Sequence, residues 1–340
     1  MTASEMKNQT PCLLVGDIGG TNVRFALVDP HKAGFSSKTT YQCEDFQSAD
    51  QAIGAYLEQI GAPLPQVICI AAAGPVVDGN VLFTNNSWSL DTSELEHDFE
   101  GASVRLLNDF EACAFSLPNL QKKDCLRIGS LPRARLGKSD YTIGVIGPGT
   151  GLGAAGLIQR DGQLFPIIGE GGHMGFAPET RVQVEILSQL RDEFDRVSDE
   201  RLVSGNGVVN IYHALVKIQG QKANHDSAKE IFSKAVENPD SIAAEAVQIF
   251  YEILGQVAGN LALTLGASDG IYIAGGIITR NPKLMVNSRF RIGFERKGRH
   301  RSLMEKIPTQ MILHPEPGLL GASYFALQMY HERATTIPHD

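Results

Sequence analysis

Two segments of the chain share one pattern, in which a glycine-rich turn separates two apolar runs. The first segment spans residues 12 to 29 and the second begins at Tyr141. An apolar run on each side of a tight turn predicts strand, turn and strand. Because buried strands and helical stretches alternate after both segments, the chain is predicted to be an α/β protein with mixed sheets and two similar halves.

Composition limits the partners and the compartment. The chain has 340 residues, of which 43% are hydrophobic and 20% charged, and this size is typical of two domains rather than one. A net charge of −8 argues against binding to a phosphate backbone, so nucleic acid is not an expected partner. Five cysteines without a CxxC pair fit a reducing cytoplasm, and no apolar run approaches the ~20 residues of a membrane span. We expect a cytoplasmic protein that does not enter a membrane.

Further elements follow from hydrophobic spacing. Strands are predicted at residues 66 to 73, 103 to 107 and 270 to 277, and helices at 50 to 60, 181 to 191, 206 to 217 and 241 to 265. The helix at 241 to 265 is apolar on much of its surface, which predicts a buried position. Small residues in the closing helix predict close packing there. The stretch from 219 to 240 is the most polar and is predicted to be exposed.

The first glycine turn carries side chains suited to a nucleotide. Asp17 precedes Gly19 and Gly20, and Thr21 and Asn22 follow them. Two adjacent glycines permit positive φ and let backbone N–H groups approach a phosphate, while an aspartate can hold magnesium directly or through water. The alternative is an ordinary hairpin with a Gly-Gly turn, which requires the glycines but not the aspartate.

Two further glycine clusters favour the nucleotide interpretation. Gly149, Thr150 and Gly151 repeat the first turn in the second half of the chain, so two hairpins are predicted to contact one nucleotide. Gly275 and Gly276 follow an apolar strand and precede a helical stretch. They either let an adenine or ribose lie against the backbone or form a plain turn between a strand and a helix.

One aspartate lies where a predicted strand ends, and it is a candidate to contact the hydroxyl that accepts a phosphoryl group. Asn108 and Asp109 lie where the strand at 103 to 107 meets an apolar helical stretch. Phosphoryl transfer requires the acceptor hydroxyl to be positioned and its proton received, and one ionised aspartate can do both. The alternative is that Asp109 only caps the following helix.

Other polar residues on turns are candidates for binding sugar hydroxyls. Glu170 and His173 flank a glycine pair, which keeps their turn open. Asn85 lies in a stretch of amides beside the only tryptophan, a composition that suits a sugar and an ordinary loop equally. Glu200 precedes a glycine-flanked turn, where it is either a sugar ligand or a salt-bridge residue at a helix end.

An ordered series of motifs indicates one family. Between residues 13 and 322 the chain carries GDIGGTNVRFALVD, LLNDFEA, GPGTGLG, GEGGHMGFAP, SGNGVVNIY, IAGGI and PGLLGA. Together they resemble the bacterial glucokinase family, a branch of the superfamily of actin, heat-shock ATPases and hexokinases. The resemblance implies two ribonuclease-H-like domains with mixed sheets flanking a central cleft, formed by residues 1 to 118 with 316 to 340 and by residues 119 to 315. It also implies ATP, Mg²⁺, glucose and a homodimer.

The resemblance also implies roles for particular residues. Asp109 is similar in position to the family's catalytic base, and the backbone before Asn22, with Gly149 to Gly151, would meet the nucleotide phosphates. The residues that would bind glucose are Asn108, Glu170, His173 and Glu200. The first phosphate loop would consist of Gly16, Asp17, Ile18, Gly19, Gly20 and Thr21.

Three other functions compete with that of a glucose kinase, and the sequence argues against two of them more strongly than against the third. A sugar-sensing regulator usually carries an added DNA-binding domain, which we do not expect before the first loop, and a pure sensor needs neither Asp17 nor Asp109. A plain ATPase would not need the acceptor residues. A kinase for fructose or mannose is distinguished poorly, because the orientation of one hydroxyl is recognised by ligand geometry. No cysteine follows His173, which argues against the zinc motif of the related repressor and kinase family.

Overall fold

The structure, a computed structural model, describes residues 11 to 83, 88 to 137 and 139 to 336. Its strands are β1 Leu13–Ile18, β2 Asn22–Val28, β3 Ser36–Gln42, β4 Val67–Ala72, β5 Asn80–Leu82, β6 Ser89–Asp91, β7 Ser103–Asn108, β8 Cys125–Ile128, β9 Tyr141–Pro148, β10 Leu152–Arg160, β11 Gln163–Gly169, β12 Gly270–Ile273 and β13 Thr309–Ile312. Its helices are α1 Ala49–Ile60, α2 Thr92–Asp98, α3 Asp109–Ser116, α4 Arg181–Arg191, α5 Gly205–Ile218, α6 Ala228–Glu237, α7 Ile242–Leu265, α8 Gly276–Thr279, α9 Pro282–Val286, α10 Phe290–Glu295, α11 Arg301–Met304 and α12 Pro317–Thr336. Among these described helices, none is long and apolar enough to cross a bilayer.

The first of two compact units runs up to Asn119 and resumes at Pro315. Its main sheet has the order β3-β2-β1-β4-β7, in which β2 is antiparallel to β1 while β1, β4 and β7 are parallel. Helix α12 packs on α3, β1 and β4. A side chain at Gly321 would collide with the carbonyl oxygen of Ala112, so the glycine permits the close approach of α12 to α3. The predicted close packing of the closing helix is confirmed.

The second unit runs from Leu120 to His314. Its sheet has the order β11-β10-β9-β12-β13-β8, and the long helix α7 is buried along most of its length. Ser241 caps α7 by accepting a hydrogen bond from the N–H of Ala244. Helix α10 crosses α7 where Gly293 meets the carbonyl oxygen of Glu252, a contact that any side chain would prevent. The predicted burial of this helix is confirmed.

The two units repeat one strand plan. In each, three antiparallel strands are followed by parallel strands, as β3-β2-β1-β4 and β11-β10-β9-β12. Both glycine turns therefore connect the first two strands of a meander, since β1 and β2 pair across one turn and β9 and β10 across the other. The predictions of an α/β fold with mixed sheets and of two similar halves are confirmed.

One predicted boundary is wrong, and one polar stretch has an apolar face that was not predicted. The strand expected at 270 to 277 ends at Ile273, because the chain turns at Gly275 with φ at 104° and enters α8. The polar stretch from 219 to 240 is largely exposed, as predicted, but it also contains α6, which buries Ile231, Phe232 and Ala235 against the neighbouring helices α5 and α7. Its polar composition hid one apolar stripe at helical spacing.

Candidate active site

The first glycine turn closes the β1–β2 hairpin and positions Asp17. The N–H of Gly19 donates to the carbonyl oxygen of Asn22 at 2.9 Å. Register places Asp17 opposite Arg24, and a carboxylate oxygen lies 3.5 Å from the guanidinium. Burial raises the pKa of the Asp17 carboxyl to about 6, while Arg24 lowers this pKa and Glu316 raises it. The positive φ that a glycine pair permits is not used at Gly19.

The charge on Asp17 belongs to a network that sequence reasoning missed. Glu316, which immediately precedes α12, lies 3.3 Å from the guanidinium of Arg24 and 2.7 Å from the ammonium of Lys38. Gly318 in the first turn of α12 faces Asp17. A Cβ atom at this position would lie 3.8 Å from the carboxylate oxygens, which is ordinary van der Waals contact. The pairing with Arg24 follows from hairpin register, but nothing in the sequence brings Glu316 to this position.

Asn108 and Asp109 mark the point where β7 becomes α3. Asn108 is the helix cap, because its side-chain oxygen accepts from the N–H of Phe110 at 2.9 Å and from that of Glu111 at 3.4 Å. Its amide nitrogen donates to the carbonyl oxygen of Gly74 at 3.0 Å. Asp109 is half-buried, and its carboxylate also accepts from the N–H of Phe110 at 2.9 Å. The capping role considered for Asp109 therefore falls to Asn108.

Parallel strands place both groups at one edge of the first unit. Ile18 at the end of β1, Ala72 at the end of β4 and Asn108 at the end of β7 are neighbours in register. The first glycine turn and Asp109 therefore both follow carboxyl ends of parallel strands. Ligands bind at this edge in open α/β sheets, because helix N-termini and turn N–H groups point there.

The second glycine turn is held by groups from distant segments. The N–H of Gly149 donates to the carbonyl oxygen of Gly151 at 2.8 Å, and the N–H of Gly205 donates to the carbonyl oxygen of Gly149 at 2.9 Å. The carboxylate of Glu200 accepts from the N–H of Leu152 at 2.9 Å. A Cβ at Gly151 would come within 2.5 Å of that carboxylate, so any other residue there would displace the Glu200 side chain. Glu200 thus bonds to a backbone N–H instead of a basic side chain.

The third glycine cluster meets the second turn. A side chain at Gly275 would collide with the carbonyl oxygen of Pro148, and the positive φ at Gly275 also favours glycine. Beyond α8, a cavity of about 480 Å³ is lined in part by Arg280, Pro282 and Leu284. Gly275 therefore contacts the second turn, and the cavity lies beyond the glycine pair along the chain, within the same unit.

The turn that carries Glu170 and His173 is bonded to the segment that carries Glu200. Glu170 and His173 are exposed at the ends of a short 3₁₀ turn, closed by the N–H of His173 donating to the carbonyl oxygen of Glu170 at 3.0 Å. The N–H of Asp199 donates to the carbonyl oxygen of Met174 at 2.9 Å. This bond fixes the distance between the turn and Glu200.

Comparisons with known proteins identify one family. The family model for glucokinase matches residues 14 to 329. A glucokinase of Caulobacter sp. (strain K31) is 42% identical over 312 residues, which cover 91% of this chain and 93% of that protein.

The chain belongs to the glucokinase family. A solved glucokinase from an Antarctic psychrotroph is 32% identical, with a TM-score of 0.85 over 95% of this chain and 100% of that one. A glucokinase of the ROK family from Streptomyces griseus, solved with glucose and AMPPNP, is 20% identical with a TM-score of 0.59, covering 93% of this chain and 99% of that one. At that identity the second likeness concerns the fold alone.

The expected site residues of this glucokinase family member fall into two sets. The first unit holds the turn from Gly16 to Asn22 together with Asn108 and Asp109. The second unit holds the remaining described residues, namely Gly149, Thr150, Gly151, Glu170, His173, Glu200, Gly275 and Gly276. Asn85 lies outside the described residues. Within the described chain, no group of three or more His, Cys, Asp or Glu side chains is arranged to hold a metal ion without other ligands.

Proposed function

We propose that this protein transfers the γ-phosphoryl group of ATP to the 6-hydroxyl of D-glucose, which yields glucose 6-phosphate and ADP and is the first step of glycolysis. Membership in the glucokinase family supports this activity. The observation that carries the proposal is the position of Asp109. A half-buried carboxylate directly after a parallel strand, beside a glycine hairpin, suits an acceptor hydroxyl next to a phosphate.

Asp109 would receive the proton of the attacking hydroxyl. The cap formed by Asn108 fixes the start of α3 and therefore the direction of the Asp109 side chain. Asn108 itself donates one amide N–H to Gly74 and retains a second, which is available for a sugar hydroxyl. A base that is already oriented loses little entropy when the reaction begins.

Glucose would be held mainly from the second unit. Glu170 and His173 expose an acceptor and an imidazole three residues apart, a spacing that suits neighbouring ring hydroxyls. Glu200 accepts from the N–H of Leu152 with one carboxylate oxygen, so its other oxygen is available for a hydroxyl. We include Asn85 in the sugar site on the sequence pattern alone.

ATP would be held by the glycine loops. The turn from Gly16 to Asn22 and the turn from Gly149 to Gly151 would donate backbone N–H groups to phosphates, apart from those of Gly19 and Gly149, which bond within the turns. The pair Gly275 and Gly276 would accommodate the ribose, with the adenine in the adjoining 480 Å³ cavity. The Streptomyces griseus relative was solved with glucose and AMPPNP, which supports these ligands.

Asp17 fits a magnesium ion that shares its ligands with the phosphates. Its carboxylate is only partly buried, and Gly318 leaves space opposite it. Magnesium favours one or two carboxylates together with phosphate oxygens and water, so a lone aspartate is sufficient. When bound, the ion would neutralise charge on the transferring phosphoryl group.

The remaining parts of the proposal concern the whole protein. Residues 1 to 118 with 316 to 340 would act as a small domain and residues 119 to 315 as a large one, and closure around glucose would exclude water that otherwise hydrolyses ATP. We further propose a cytoplasmic homodimer, which the family resemblance supports. Sedimentation equilibrium tests the dimer, since a monomer at micromolar concentration would contradict it.

Product identification tests the proposed function. ATP, Mg²⁺ and glucose are incubated with the protein, and glucose 6-phosphate is detected through glucose-6-phosphate dehydrogenase. We expect product with glucose and none with 6-deoxyglucose, which lacks the accepting hydroxyl. ADP release with 6-deoxyglucose at the rate seen with glucose would contradict transfer to the 6-hydroxyl.

A further inference from the structure

The second unit contains a cavity that the proposed reaction does not use. It has a volume of about 160 Å³ and lies between the last turns of α7 and the strands β10 and β11. Its wall is mostly apolar, with Asn260 and Thr264 as neutral polar residues. The lining includes Ile146, Ala154, Ala155, Ile167, Val257 and Leu261.

One acidic side chain interrupts this apolar wall. Asp199 is the only ionisable residue among those that line the cavity, and it is 6% exposed. Within the described part of the chain, its carboxylate forms no hydrogen bond or ion pair. Burial raises the pKa of the Asp199 carboxyl to about 7, although Arg196 and Lys297 act to lower it. A buried carboxylate without a partner is costly, so a cationic or donating ligand would be stabilised beside it.

The nearby cations do not supply that partner. The ammonium of Lys297 is 3.1 Å from the carboxylate of Glu179, with which it forms an ion pair. Arg196 is exposed, and within the described chain its guanidinium forms no hydrogen bond or ion pair with Asp199. Both cations therefore act on Asp199 only through longer-range electrostatics.

The backbone holds Asp199 at this wall. Its N–H donates to the carbonyl oxygen of Met174 at 2.9 Å, and its carbonyl oxygen accepts from the N–H of Leu202 at 3.0 Å and from that of Val203 at 2.8 Å. With bonds on both sides, the backbone of Asp199 is held beside the cavity, and its side chain starts from this position in the 3₁₀ turn that contains Glu200.

Size and charge together define the ligand. Apolar cavities of roughly 150 Å³ take up a benzene-sized molecule. We propose that this cavity binds an amine that carries a ring-sized apolar group, with its ammonium on the carboxylate of Asp199 and its ring between α7 and β10. The mouth offers a route of entry, since Ile168 and Met174 in the lining are 51% and 59% exposed.

Occupancy of the cavity would reach the proposed sugar site. Asp199 precedes Glu200 and bonds to Met174, which follows the His173 turn. An ammonium bound to the carboxylate of Asp199 would therefore act on two segments that carry proposed sugar ligands. This consequence for glucose rests on the proposed function, whereas binding of the amine does not.

Calorimetric titration with benzylamine tests the site. We expect saturable binding at one molecule per chain, and at least tenfold weaker binding of benzyl alcohol, which has the same ring without the charge. Asp199→Asn should weaken benzylamine binding at least tenfold, while Asp195→Asn, an exposed aspartate of the same segment, should leave it unchanged. Ala155→Val, which narrows the cavity and keeps the carboxylate, should also weaken binding.

Other results would overturn the proposal. Equal binding of benzylamine to the Asp199→Asn variant, or equal binding of benzyl alcohol, would exclude the carboxylate as the recognition group. Binding that strengthens as the protein is diluted would mean that a second copy of the chain covers the cavity. A change in KM for glucose on adding benzylamine, absent in Asp199→Asn, tests the coupling. If the protein phosphorylates no sugar, the calorimetric result still decides the site.

Discussion

The two glycine hairpins have the same strand plan but different sources of charge. The β1–β2 hairpin carries its own acid, Asp17, whose partner Arg24 stands opposite it on the second strand. The β9–β10 hairpin has no acid in its turn, and a carboxylate reaches it from Glu200, 48 residues away from its bonding partner Leu152. A repeated backbone has therefore been given two electrostatic environments.

Under the proposed function, the two environments would suit different tasks. An acid fixed within its own hairpin keeps a constant position relative to the turn, as a magnesium ligand would require. The carboxylate of Glu200 instead links the second glycine turn to the turn of Glu170 and His173, because the neighbouring Asp199 bonds to Met174. We therefore expect changes in the second hairpin to alter sugar binding and nucleotide binding together.

The largest expected effect concerns neither hairpin but the carboxylate beside the first. Asp109→Asn should lower turnover on the order of 10² to 10⁴-fold with glucose binding largely kept, because the amide cannot accept the hydroxyl proton. Steady-state kinetics and glucose titration measure both. Asp98→Asn, an exposed aspartate in the same unit, is the control. Near-normal turnover in Asp109→Asn would remove it as the base.

Glu170→Gln should affect the sugar more than the nucleotide. Loss of a hydrogen bond to a charged group weakens binding by about 10 to 100-fold, so KM for glucose should rise by that factor while KM for ATP changes little. Glu193→Gln is a control, because Glu193 is exposed and lies outside the turn. Equal weakening of both substrates would mean that Glu170 supports the fold instead.

A pair of glycine variants tests the contact between Glu200 and the second glycine turn. Gly151→Ala places a Cβ 2.5 Å from the Glu200 carboxylate and should displace it, whereas a Cβ at Gly149 meets nothing within 4 Å. We expect Gly151→Ala to raise KM for both substrates by about tenfold, the equivalent of losing one hydrogen bond, and Gly149→Ala to have a smaller effect. Indistinguishable kinetics for the two variants would contradict the link between Glu200 and the second turn.

Asp199→Asn should change stability in a pH-dependent way. The folded pKa of about 7 lies above the ordinary value of 3.8, so between these values the folded state binds more protons and stability falls as pH rises. The amide abolishes this loss. Urea unfolding should find Asp199→Asn more stable than the parent by on the order of 1 to 3 kcal/mol at pH 8 and nearly equal at pH 4. The same difference at both pH values would refute the titration.

Features of this molecule that depend on local sequence were predicted better than features that depend on contacts between distant segments. The hairpins, the long buried helix and the strand end before Asp109 follow from apolar spacing and glycine, which act over a few residues. Capping was considered as an alternative role for Asp109, but Asn108 forms the cap, because helix boundaries depend on one residue of register. Glu316 beside Arg24 and Asp199 in its cavity wall come from chain segments that only the tertiary fold brings to these positions.

If the chain is a glucose kinase, its release of ADP must depend on sugar. ADP formation is followed with ATP and Mg²⁺ across glucose, fructose, mannose, N-acetylglucosamine and no sugar, and kcat/KM is compared. We expect release that depends on sugar and has its highest kcat/KM with glucose. Release that is equally fast without sugar, or absent with every sugar in a folded protein, would contradict this function.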